Sequence, residues 1–163
     1  MDDDLEKLPQ RAAEKYAENR RFLSKLKKRP PKGLDQLMQE LHTAEFERTD
    51  CLECGNCCRT TGPLFTQGDI GRIAAHLRMK PGAFAERYLR VDEDGDQVLQ
   101  QVPCPFLGED NFCHIYEVRP RACREYPHTD RRKFHQIGSL TLKNTAICPA
   151  AFRIVEEMKK RLP

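Results

Sequence analysis

The run Cys51-Leu52-Glu53-Cys54-Gly55-Asn56-Cys57-Cys58 places four thiols within eight residues. A C-x2-C spacing lets a tight turn aim two sulfurs at one ion while backbone N–H groups stabilise the thiolates, and Gly55-Asn56 suits the left-handed backbone such a turn requires. Three cysteines at successive x2 intervals also match the run that wraps a [4Fe–4S] cluster. Cys104, Cys113, Cys123 and Cys148 follow singly and bring the total to eight, enough for two four-sulfur sites if every thiol is used. The vicinal pair Cys57 and Cys58 can point apart, which would leave one thiol outside a site. At least one site is expected to combine the first group with distal cysteines.

Zinc and an iron–sulfur cluster both fit this inventory. A zinc ribbon needs two C-x2-C knuckles, whereas here only the first group has that spacing, and this departure favours the cluster. Arg119 and Arg124 flank Cys123, with Arg121 between them, and Arg119 and Arg124 are the candidate contacts to such a cofactor, their charge offsetting an anionic thiolate–metal centre. The competing explanations are disulfides, as in a secreted scaffold, and thiol redox chemistry, which needs only two of the eight cysteines. His114, His128 and His135 lack the i, i+4 pairing of a helical metal site, and Asp69, Glu117 and Glu125 have capping or solvated roles open to them. The sequence contains no phosphate loop, dinucleotide fingerprint or nucleophile elbow, so no catalytic residue is assigned.

The elements that must position these thiols are short. Helical periodicity runs from about Gln10 to Lys28 with Ala12, Tyr16, Leu23 and Leu26 as anchors, and Arg29-Pro30-Pro31-Lys32-Gly33 breaks it. Leu34, Leu37, Met38 and Leu41 predict a second helix from Leu34 to Phe46. After the first cysteines, Thr66-Gln67-Gly68-Asp69 has the form of an N-cap with an acidic third residue, and Ile70, Ile73, Ala74 and Leu77 supply one apolar face. Pro81 opens another short helix carrying Phe84, Tyr88 and Leu89.

Turn signals at Asp94-Gly95 and Gly108-Glu109-Asp110-Asn111 predict small antiparallel hairpins between Val91 and Tyr116, with Cys104 near one strand and Cys113 on another. Arg119-Pro120 opens a helical turn presenting Cys123, residues 127–147 read as loop-rich, and a last helix after Pro149 aligns Ile154, Val155, Met158 and Leu162. The expected fold class is α+β: mainly short helices with small antiparallel hairpins around a cysteine-rich metal centre. Residues 1–48 form a helical N-terminal extension, and residues 49–163 form the metal-binding domain.

Charged residues make up 33% of the 163-residue chain and apolar ones 39%. With a mean hydropathy of -0.72, this is the balance of a soluble protein with a lean core that needs staples. No stretch approaches the ~20 apolar residues that cross a bilayer, and the acidic start Met1-Asp2-Asp3-Asp4 is unlike a secretory signal. The chain is therefore expected in the cytoplasm, where disulfides are rare and metal is the commonest use of many cysteines. Arg20, Arg21, Lys25, Lys27, Lys28, Arg29 and Lys32 cluster ahead of the first cysteine. They read either as a solvated helix end or as a contact for a protein partner, and with few aromatics to stack on bases, nucleic acid is disfavoured.

Together these motifs carry a family resemblance. The run Cys51 to Cys58, Asp69-Ile70, Cys104-Pro105-Phe106-Leu107, Cys113-His114-Ile115-Tyr116-Glu117, Arg119-Pro120 and Cys123-Arg124-Glu125-Tyr126-Pro127 resemble the CxxCxxCC cysteine-cluster family, also called YkgJ-like, over about Cys51 to Cys148. The resemblance implies a zinc- or iron-chelating role for the matching cysteines, and a related pattern is associated with flagellin lysine methylation. Three functions follow as expectations: a structural or electron-carrying metal module, a metal-dependent enzyme or accessory factor in protein modification, and a partner-binding adaptor.

Overall fold

The computed structural model of the protein describes residues 2–162. In chain order its helices are α1 (Asp2–Lys28), α2 (Leu34–Phe46), α3 (Cys51–Cys54), α4 (Asn56–Thr60), α5 (Gln67–His76), α6 (Pro81–Tyr88), α7 (Arg121–Glu125), α8 (Gly138–Asn144) and α9 (Pro149–Arg161). The strands are β1 (Leu64–Phe65), β2 (Leu89–Val91) and β3 (Gln97–Leu99), paired antiparallel in the order β1-β3-β2. Short helices beside one small antiparallel sheet make this an α+β protein. The chain divides into two compact units, residues 2–51 with 127–162 and residues 52–126.

The first unit is built on apolar helix faces. Leu23 and Leu26 of α1, Leu34, Met38 and Leu41 of α2, and Ile154, Val155 and Met158 of α9 bury together around Phe134. Helix α1 begins well before Gln10, where periodicity alone would start it, and runs through Pro9. Proline there removes one backbone donor. Leu8 offsets the loss by packing with Ala12 and Phe152 in a small buried cluster of their own, helped slightly by an exposed Lys7–Asp3 ion pair at 2.8 Å.

Helix α2 has the bounds its periodicity dictates. Its buried Glu45 accepts from Arg153 Nε at 2.5 Å, Arg48 Nη2 at 2.5 Å and Thr49 Oγ1 at 3.0 Å, so the buried charge is both paired and hydrogen-bonded. The expected loop between Pro127 and Ile147 instead holds a 3-10 turn, Phe134–Ile137, and α8. Gly138, Ser139 and Thr141 are poor helix formers, so no periodic signal marks α8. Tertiary burial of Thr141, Asn144 and Thr145 supplies what propensity does not.

The second unit has a smaller core in which Phe84 of α6 sits among Phe65, Ile70, Ile73, Leu89, Leu99, Phe106 and Ile115. Thr66 caps α5 through a complete capping box with Asp69, and Pro81 occupies the first turn of α6. Strands β2 and β3 pair as Leu89↔Leu99 and Val91↔Gln97 around Gly95, whose φ of 82° only glycine adopts freely. The hairpin signal at Asp94-Gly95 is realised and Cys104 follows β3 closely, but the strand expected at Cys113 is reduced to a single bridge. Cys104 lies in a loop after the sheet, and Cys113 makes only an isolated bridge to Leu107.

Candidate metal centre

Residues 100–116 of the second unit have no regular element beyond that bridge and the start of a 3-10 turn at Tyr116, and they are held by tight turns. Leu107 N donates to Cys104 O at 3.1 Å, Asn111 N to Gly108 O at 3.1 Å, and Tyr116 N to Cys113 O at 3.1 Å. The first and last of these turns each begin at a cysteine, Cys104 and Cys113. The link to the first cysteine group is direct: Cys104 N donates to Cys58 O at 2.7 Å. Cys123 arrives on α7, its amide donating to Pro120 O at 3.0 Å.

Cys58, Cys104, Cys113 and Cys123 are each half-buried. The charge of Cys58 acts on all three of the others, and those of Cys104 and Cys113 act on Cys123. The ionisation of the four thiols is graded. Cys58 is lowered to about 7, chiefly because the Cys57 thiol hydrogen-bonds to it, with help from Arg59. Burial, reinforced by the neighbouring thiolates, pushes Cys104 up to about 11 and Cys123 up to about 12. Cys113 is raised for the same reason, with Arg119 opposing.

One thiol that ionises readily beside three that resist it is suited to a soft cation, which would turn the repulsion among thiolates into a shared attraction. The donor set fits zinc or an iron–sulfur cluster, since both accept four thiolates. Among the described residues, no group of three or more Cys, His, Asp or Glu side chains is placed so as to hold a metal ion.

The supporting residues come from outside the cysteine motifs. Asp69 is buried at 2% exposure and accepts from Thr66 N at 2.9 Å, Arg72 Nη2 at 2.8 Å and Arg121 N at 3.2 Å. Burial alone would push its carboxyl up, but these hydrogen bonds outweigh it and hold it below the ordinary carboxylate range. Arg72 also donates to Val118 O at 3.3 Å and Arg119 O at 2.9 Å. Asp69 and Arg72 thus fix residues 118–121, the segment that aims Cys123. Asn111 donates to Glu53 O at 3.2 Å and accepts from Arg59, which ties the loop before Cys113 to the segment carrying Cys54 and Cys58.

These roles went largely unread in the sequence. Asp69 signals only its cap, Arg72 is one cation among many, and Asn111 reads as a turn residue.

Of the two arginines proposed beside a cofactor, Arg119 lies close enough for its charge to act on Cys113 and Cys123. Its guanidinium stacks 3.9 Å from the centre of the Tyr116 ring and donates to Tyr116 O at 2.6 Å. Arg124 is exposed on α7, and its charge is not among those acting on the four thiols.

The remaining cysteines are distributed differently. Cys51 is exposed at the start of α3, and Cys54 is half-buried at its end. Cys57 lies in α4 behind Gly55, whose φ is 57°. Cys148 caps α9, its Sγ accepting from Ala151 N at 3.4 Å. His114 is exposed beside Gly108.

Residues 50–148, more than half of the chain, match the family model CxxCxxCC, described as a "putative zinc- or iron-chelating domain". The chain belongs to the CxxCxxCC family. The matched span holds all eight cysteines and leaves α1 and α2 outside the CxxCxxCC region. No curated protein and no solved structure matches the chain. Among the described residues, no helix of this CxxCxxCC protein is long and apolar enough to cross a membrane.

Proposed function

We propose that the chain is a metal-binding protein of the cytoplasm in which Cys58, Cys104, Cys113 and Cys123 hold one zinc ion or one iron–sulfur cluster, in a structural or electron-carrying role. The observation that carries this reading is that thiols from four separate segments of one unit lie close enough for the charge of Cys58 to act on Cys104, Cys113 and Cys123, and for those of Cys104 and Cys113 to act on Cys123. Bound metal supplies a crosslink among segments that share few regular backbone hydrogen bonds. The chain's own part is to deliver the sulfurs: the 104–107 turn sets Cys104, the Leu107 bridge sets Cys113, and Asp69 with Arg72 sets Cys123. Arg119 offsets part of the negative charge that four thiolates carry.

A reducing compartment keeps such thiols available. Anaerobic purification with elemental analysis and a visible spectrum tests the reading and chooses the metal. Iron with sulfide and absorption near ~400 nm would identify a cluster, and one colourless zinc per chain would identify a zinc site. Protein purified without stoichiometric zinc or iron, and unable to take up either, would refute it.

A further inference from the structure

A second feature lies in the first unit, which holds none of the four thiols of the proposed centre. A groove of about 920 Å³ runs along α1 beside α8. Its floor is apolar and made of small or aliphatic residues, among them Ala12, Ala13, Leu23, Leu142 and Ala146, and Arg20, Lys27 and Lys143 stand on its lining. An adjoining groove of about 770 Å³ shares Tyr16, Arg20 and Ser24 and adds Arg21, Lys25, Lys28 and Arg29. Seven cations therefore line one continuous surface, and no carboxylate lines either groove.

The two acids nearest in sequence are already occupied. Glu14 accepts from Gln10 at 3.0 Å, and Glu18 pairs with Lys159 at 3.0 Å and Lys15 at 3.4 Å. Among the described residues none of the seven cations has an ion-pair partner of its own. Helix-dipole stabilisation accounts for Lys25, Lys27 and Lys28 in the last turn of α1, but Arg20 and Arg21 lie before that turn. Like charges at i, i+4, such as Arg21 and Lys25, slightly weaken a helix.

We infer that this surface is the docking site for an acidic amphipathic helix of a partner protein, the partner's apolar face on the α1–α8 floor and its glutamates or aspartates against the flanking cations. An apolar trough with charged flanks is the form that receives a helix in a groove, and the sign of the flanks selects an acidic occupant. Base stacking needs repeated aromatic platforms, whereas Tyr16, 52% exposed, is the one aromatic on the two linings. Small floor residues such as Ala13 and Ala146 leave room for a partner's leucines.

Fluorescence anisotropy on the full chain tests this with three probes. The first is a helical peptide of about 18 residues, long enough to follow ~27 Å of α1, with leucines on one face and glutamates beside them. The second carries serine for leucine, and the third is a single-stranded oligouridine. The leucine–glutamate peptide is expected to bind saturably and at least tenfold more tightly than either other probe. Binding should weaken as salt rises from 0.1 M to 0.5 M.

Arg20→Glu with Lys27→Glu should weaken peptide binding at least tenfold, while Lys32→Glu with Arg132→Glu, an equal change in net charge off the groove, should leave it unchanged. Circular dichroism of both double variants checks that each remains folded. No saturable binding of the peptide, equal binding of the serine peptide, tighter binding of the oligouridine, or equal losses in the two folded double variants would each overturn the inference.

Discussion

The two units are held together by different physics. In residues 2–51 with 127–162, helices of two to seven turns bury continuous apolar stripes around Phe134 and Met38, and hydrophobic burial suffices to explain the architecture. In residues 52–126 the elements are two to ten residues long, and the core gathers around Phe84. Between Gln100 and Tyr116 the chain relies on turns, on side-chain links such as that of Asn111 to Glu53, and on the thiol group. A segment with so little regular structure would have most to gain from a metal crosslink.

The largest expected break in this comparison comes from metal removal. The binding free energy of a structural zinc site, of order ~10 kcal/mol, matches an entire domain stability of ~5–15 kcal/mol. Chelation under reducing conditions should therefore abolish amide-exchange protection over residues 52–126 while α1, α2 and α9 stay protected. Hydrogen-exchange mass spectrometry reads both units in one experiment, and retained protection in the cysteine unit would show that its fold is independent of metal. The converse break is Phe134→Ala, which empties the fully buried centre of the helical unit. It should cost about 3–5 kcal/mol, lowering that unit's melting temperature while metal content stays at the wild-type level.

A smaller effect is expected from Asp69→Ala, which removes the acceptor shared by Arg72 and the Arg121 amide. The loss should be about 2–3 kcal/mol, read as a lower urea midpoint for the cysteine unit. The pH dependence has a definite sign. Because the folded-state pKa of Asp69 is depressed, its stabilisation is present above the ordinary carboxyl value near ~3.9 and is lost as pH falls below that toward the depressed value. Asp69→Ala should accordingly flatten the acid limb of the unit's stability profile.

Gly108→Ala should have the smallest effect. A Cβ there would stand 2.7 Å from His114 Nε2 and 2.8 Å from Asp110 Oδ1. The His114 ring is exposed and can swing aside, whereas Asp110 Oδ1 accepts from Phe112 N at 3.0 Å and loses that bond in moving, so a loss near ~1 kcal/mol is expected, and His114→Ala in the same chain should recover part of it.

Sequence reading succeeded where a signal is local. The Thr66–Asp69 capping box, Pro81 at a helix start and the 3.6-residue stripe of α2 each state their structure within a few residues. It failed where structure depends on distant partners. Helix α8 is made of weak formers, and its Gly138 packs at close range against Leu23; strand β1 is only two residues long and exists by pairing with β3. The early start of α1 depends on Leu8 finding Phe152. For the candidate site, cysteine spacing announced metal chemistry, but spacing alone does not say that the charge of Cys58 acts on Cys104, Cys113 and Cys123. That proximity follows from the backbone link from Cys104 to Cys58 and from the turns after it.

The most direct test is native mass spectrometry of metal content in Cys58→Ser, Cys104→Ser, Cys113→Ser and Cys123→Ser, each compared with wild type and with Arg124→Ala. Each serine variant is expected to lose the same single metal ion or cluster, and Arg124→Ala is expected to keep it. Full metal content in any one of the four serine variants would contradict the assignment of these thiols to one centre.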